Sequence, residues 1–117
     1  MKLLHHPERK DILLSSVLYA LSDPVRLQIV AQIHRGGEQA CKSFEVPIAK
    51  STLSQHVRTL REAGITHTRI YGTQRLLSLR SEDLNERFPG LLDAVLRSYG
   101  ESREEIELRQ EYEKQGS

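Results

Sequence analysis

The sequence predicts one α+β domain, mostly helical, with a single β-hairpin. Three observations predict it. Apolar residues recur at helical spacing in the stretches 10–21, 25–33, 53–60 and 91–99. The stretch 66–80 is instead rich in β-branched residues around a Gly72-Thr73 turn. A chain of 117 residues, 38% hydrophobic and 28% charged, can bury one core without disulfide or metal staples.

From Lys10 to Leu21 the residues Ile12, Leu13, Leu14, Val17, Leu18 and Leu21 form an apolar stripe with no Gly or Pro inside it, which predicts a first helix. Asp23 is suited to cap a second helix and Pro24 to its first turn, where the missing N–H costs nothing. Val25, Leu27, Ile29, Val30 and Ile33 carry that helix to about His34, and Gly36-Gly37 ends it. Glu38 to Phe44 predicts a short third helix, broken at Val46-Pro47.

Ser51 then caps a fourth helix whose Leu53, Val57 and Leu60 face inward and which Gly64 terminates. Its other face shows Ser51, Thr52, Gln55, Arg58 and Thr59, with His56 on the flank. Thr66–Tyr71 and Gln74–Arg80 pair as the hairpin. Ser81-Glu82-Asp83 is a helix start that leads through Leu84 and Phe88 to a second start at Pro89. Beyond it Leu91, Leu92, Val95, Leu96 and Tyr99 make a closing amphipathic helix. The folded domain is expected to span 1–100. In 101–117 only Ile106, Leu108 and Tyr112 are apolar, which predicts a solvated helix or a frayed, charged tail.

A net charge of +1 speaks against a polyanion partner until its distribution is read. Residues 50–80 hold six bases (Lys50, Arg58, Arg61, Arg69, Arg75, Arg80) against Glu62 alone, a local +5. Residues 81–117 hold ten acids against five bases, a local −5. Such a chain can present one face to phosphates while the other stays away.

The order is helix, helix, short helix, Pro-containing turn, polar-faced helix, hairpin, closing helix. It matches a winged helix-turn-helix, whose second helix enters the major groove of double-stranded DNA. Ser51, Thr52, Ser54 and Gln55, with His56, Arg58 and Thr59 following, suit base edges: Gln bonds adenine bidentately and Arg reaches guanine or phosphate. Lys50 at the start of that helix, and Arg69 and Arg75 on either side of the hairpin turn, suit the phosphate backbone. The competing reading is an ordinary solvated helix and a hairpin with surface ion pairs of little energetic value.

Ala20-Leu21-Ser22-Asp23-Pro24-Val25-Arg26-Leu27-Gln28-Ile29-Val30 and Ser51-Thr52-Leu53-Ser54-Gln55-His56-Val57-Arg58-Thr59-Leu60-Arg61-Glu62-Ala63-Gly64-Ile65 resemble the ArsR family of bacterial winged-helix repressors. The resemblance runs from about Val17 to Leu79. It implies a homodimer bound to an inverted-repeat operator and acting as a repressor. Its interface would come from the first and last helices, here Leu13, Leu14 and Val17 with Leu91, Leu92, Val95 and Leu96. Two amphipathic end helices also supply more apolar surface than one small core requires.

Many members of that family sense metals, and this chain departs from both of their patterns. In place of a Cys-x-Cys pair it has Ala40-Cys41-Lys42 with one Cys, whereas soft metals usually want two or more thiolates. Asp93-Ala94-Val95 lacks a following His, and no His occurs after His67. No metal or other cofactor is therefore expected, and derepression would answer to an unknown small-molecule or redox effector. Cys41 is either a redox switch beside Lys42 or a small apolar residue inside the fold. His34 and Glu38 are separated by the Gly36-Gly37 break, and His5-His6 reads as a flexible arm rather than a metal site.

No Gly-rich phosphate loop, Gly-x-Ser-x-Gly turn or His-Glu-x-x-His occurs, so an enzyme is not expected. The lone cysteine and the absence of a secretory-type N-terminus or a long apolar run point to a cytoplasmic protein away from membranes. The alternative function is a winged-helix protein-interaction module that does not bind DNA, with the acidic 81–117 region as its docking face.

Overall fold

In a computed structural model that describes residues 4–116, six helices and three strands follow in chain order. They are α1 (Leu14–Ala20), α2 (Pro24–Gly36), β1 (Gln39–Ala40), α3 (Lys50–Glu62), β2 (Thr66–Tyr71), β3 (Gln74–Leu79), α4 (Ser81–Arg87), α5 (Leu91–Tyr99) and α6 (Arg103–Gln115). Single 3-10 turns lie at Arg9–Asp11 and Cys41–Ser43. Ile29, Val30, Leu60, Ile65 and Leu77 are fully buried and join α2, α3 and the sheet into one core.

Asp23 caps α2 as expected, its carboxylate accepting from the N–H of Val25 at 2.8 Å and of Arg26 at 3.1 Å, with Pro24 in the first turn. The hairpin has the expected register, from Thr66 opposite Leu79 to Tyr71 opposite Gln74. Thr66 and Thr68 face inward while His67 and Arg69 face out.

Three expectations about the elements are corrected. The first helix is shorter: Ile12 leaves the helical line and drops into the core, and α1 begins at Leu14 with Leu13 as its cap residue. The short third helix shrinks to the single 3-10 turn at Cys41–Ser43. Gly37, at φ 77° and ψ −161°, swings the chain outward, and Gln39 and Ala40 pair with Leu77 and Leu76, giving the sheet order β1-β3-β2. Covering the open edge of β3 satisfies backbone groups that a helix would have left to solvent. Ser51 is not the cap of α3. The chain stays extended through Ala49, which takes the cap position without a side-chain acceptor, so the first-turn N–H groups stay open.

Val17 and Leu96, expected at a subunit interface, are only 2% and 9% exposed within a single chain and belong to its own core. Leu91, Leu92 and Val95 are half-buried against that core. The apolar side chains left in solvent on α1 and its cap are Leu13, Leu14, Leu18 and Tyr19, at 60%, 46%, 48% and 66% exposed.

Both terminal segments of the described residues are tied down. Residues 1–3 of the expected arm, like Ser117, lie outside the described residues, but His6 is fixed. Its Nε2 accepts from the N–H of Thr68 on the outer edge of β2 at 3.0 Å, and its ring stacks on His67 at 4.4 Å. Burial, helped by His67, holds the His6 imidazole below its ordinary pKa, as an acceptor on a backbone N–H requires. Arg80 donates to the Pro7 carbonyl and Arg87 to that of Arg9, while Arg9 pairs with Asp83 at 2.7 Å. At the other end α6 packs on α2 through Glu105. That carboxylate is buried and accepts from Arg35 at 3.2 Å, from Arg109 at 3.0 Å and from the N–H of Glu101 at 2.9 Å.

Candidate nucleic-acid interface

Leu53, Val57 and Leu60 bury one side of α3, and this alone fixes which side faces out. Lys50, Ser51, Thr52, Ser54, Gln55 and Arg58 are exposed on the outer side, with His56 and Thr59 half-buried on its flanks. Among the described residues the Gln55 amide has no partner, so all its donors and acceptors are open. The hydroxyls of Ser54 and Thr59 donate to the carbonyls of Lys50 and Gln55 one turn back, which leaves them as acceptors toward a base. Ser51 and Thr52 lie in the uncapped first turn, where their own N–H groups can meet a phosphate.

A residue that sequence reasoning did not single out ties this helix to the two before it. Arg26 of α2 is buried and donates through Nε to the Ala20 carbonyl at 2.6 Å and through Nη2 to that of Tyr19 at 3.3 Å. Its Nη1 lies 3.0 Å from His56 Nδ1. A guanidinium only donates, so Nδ1 accepts and the His56 ring is neutral with its proton on Nε2. Burial, and then the charge of Arg26, hold His56 below its ordinary pKa, with Asp23 opposing. His56 therefore acts through Arg26 as a tie between α1, α2 and α3, with at most its Nε2–H left for DNA.

The basic count of the 50–80 segment overstates its free charge. Arg58 pairs with Glu62 at 3.1 Å. Arg80, with an 11% exposed side chain, is bound to Asp83 and to the Pro7 carbonyl. Arg69 is held in a two-point bond by Glu38, at 2.8 and 2.9 Å, and lies over the Tyr71 ring. The plainer reading, a surface ion pair, describes Arg69. Lys50, Arg61 and Arg75 keep no ion-pair partner among the described residues, and Arg61 and Arg75 are near enough to feel each other's charge. The wing thus offers Arg75 as its open cation.

Cys41 is half-buried at the end of β1, and burial pushes its thiol up while Arg75 opposes. A thiol held protonated is a poor nucleophile. Iodoacetamide at neutral pH should alkylate Cys41 more slowly than it alkylates an exposed cysteine in a peptide, and modification faster than the peptide's would restore the redox reading. Among the described residues no group of three or more His, Cys, Asp or Glu side chains could hold a metal, and no helix is long and apolar enough to cross a membrane.

Comparison with known proteins agrees with this geometry. A family described as a helix-turn-helix domain matches residues 21–69, from the end of α1 into the first strand of the wing. The chain is 34% identical over 88 residues to the uncharacterized HTH-type transcriptional regulator YceK of Bacillus subtilis (strain 168), covering 73% of this chain and 88% of that one. The transcriptional repressor BigR from Xylella fastidiosa is similar at 32% identity over 63% of this chain and 84% of its own, with a TM-score of 0.52. An ArsR family transcriptional regulator shares the fold at 22% identity over 82% of this chain and all of its own, with a TM-score of 0.59. The chain belongs to the HTH-type transcriptional regulators, DNA-binding proteins and not enzymes, and it shares the winged fold of an ArsR family regulator.

Proposed function

We propose that the protein is a cytoplasmic repressor that binds an inverted-repeat operator as a homodimer and is released from it by a non-metal signal. The observation that carries the reading is the single open polar face of α3, Ser51, Thr52, Ser54 and Gln55, opposite a fully apolar one. Gln55 and the short side chains read bases. Lys50, Arg75 and the first-turn N–H groups of α3 hold phosphates, and Arg58 joins them if it leaves Glu62. Arg69 stays on Glu38 and contributes little.

Two copies pair through Leu13, Leu14, Leu18 and Tyr19, beside the partly buried Leu91, Leu92 and Val95. A narrow crevice lined by the apolar side chains of Val17, Leu21, Leu84, Phe88, Leu91 and Leu92 lies between α1 and the α4–α5 segment. A two-fold axis there sets the two α3 helices about 34 Å apart, one turn of DNA.

Paired variants test the division of labour. Gln55→Ala should cost about 1–3 kcal/mol against the operator and leave random DNA unaffected. Arg75→Ala should weaken both and reduce the slope of log affinity against log salt by about one per protomer. Equal binding of both DNAs by wild type and Gln55→Ala would put the reading face elsewhere.

A further inference from the structure

A cleft of about 390 Å³ opens between the first turn of α3 and the tip of the wing. Residues 37–49 beside it run as a two-residue strand, one 3-10 turn and a loop that bends at Pro47-Ile48, where the Ile48 N–H donates to the Val46 carbonyl at 2.9 Å. Its floor is apolar: Phe44, Val46 and Leu53 are nearly buried and Ile48 is half-buried. Lys42, Lys50 and Arg75 line it as well, and none of the three has an ion-pair partner among the described residues.

We propose that this cleft binds a small amphiphilic monoanion, a carboxylate on a short aliphatic or aromatic body, and that the bound anion excludes DNA. A DNA phosphate needs cations and N–H groups but has no use for a floor of buried apolar side chains. The volume falls within the range of about 300–1,000 Å³ found for small-molecule sites, which are likewise mostly apolar with a few convergent polar groups. The body of such a ligand removes apolar surface from water. Its carboxylate meets three positive charges at the open rim and keeps part of its hydration. The larger groove between α2 and α6, about 650 Å³, is a weaker candidate, because its Arg35 and Arg109 are already bound to Glu105.

Lys50, Ser54 and Arg75 line the cleft and are also proposed DNA contacts, so ligand and DNA backbone compete for them. This exclusion rests on the DNA-binding reading given above. The occupancy of the cleft does not.

Octanoate, phenylacetate and the dye 1-anilinonaphthalene-8-sulfonate serve as probes, titrated into the whole protein without DNA, by calorimetry for the carboxylates and fluorescence for the dye. At least one should bind with a Kd below about 1 mM. Ile48→Trp, which fills the floor, and Lys42→Ala, which removes a rim charge, should each weaken that binding severalfold. In a mobility shift, probe at ten times its Kd should raise the apparent Kd for DNA about tenfold in wild type and leave it unchanged in Ile48→Trp. The proposal is overturned if no probe binds at about 10 mM, if both variants bind as wild type does, or if inorganic phosphate displaces DNA as well as the carboxylates do. Anion binding at the cleft by a protein with no DNA affinity would overturn the repressor reading alone.

Discussion

Replacing Leu14 and Leu18 together by Glu should turn the proposed dimer into a monomer and lower operator affinity by about 10²–10⁴-fold, the gain that linking two half-sites confers. Both side chains are about half exposed in the single chain, so the protomer should keep its fold and its circular dichroism. Each buried Leu is worth about 1.5–3 kcal/mol, the pair occurs twice across a two-fold interface, and four carboxylates would then face one another there. Light scattering reads the oligomeric state and a mobility shift reads the affinity. A folded double variant that remains dimeric would place the interface away from α1.

The second large effect concerns stability. Gly64, just past the end of α3, has φ 87°, and a Cβ there would lie 2.7 Å from Cγ1 of Ile12. Gly64→Ala incurs about 1–2 kcal/mol for the left-handed backbone and about 1–3 kcal/mol for crowding a packed core. Against a total stability of about 5–15 kcal/mol, that should lower the urea midpoint markedly. Ile12→Ala removes the crowding partner, so the double variant should be less destabilised than the sum of the singles. Strict additivity would show that Ile12 is not the obstacle.

The exposed polar face of α3 was legible in the sequence because one helix supplies all of it. Leu53, Val57 and Leu60 repeat at a period that leaves Ser51, Thr52 and Gln55 outside. The hairpin was legible for a similarly local reason, a β-branched run ending at Gly72. What escaped depends on partners far apart in the chain. The two residues of β1 are too few to show a period, and they are strand only because β3 offers an edge. Glu38 and Arg69 are 31 positions apart, Arg26 and His56 are 30 apart, and His6 and Thr68 are 62 apart. A count of charges along 50–80 therefore gave the right sign and too large a size. It could not tell Arg69 and Arg80, tied to acids, from Arg75, left open. The stripe on α1 likewise announced apolar residues without saying that Val17 turns inward while Leu18 and Tyr19 turn out.

Whether α3 of a two-fold dimer reads DNA is decided by selecting binding sites for the purified protein from random duplex DNA. The pool should be enriched in an inverted repeat whose half-sites are centred about one helical turn apart, and Gln55→Ala should lose that enrichment. No enriched sequence, even at low salt where phosphate contacts are strongest, would contradict that role of α3.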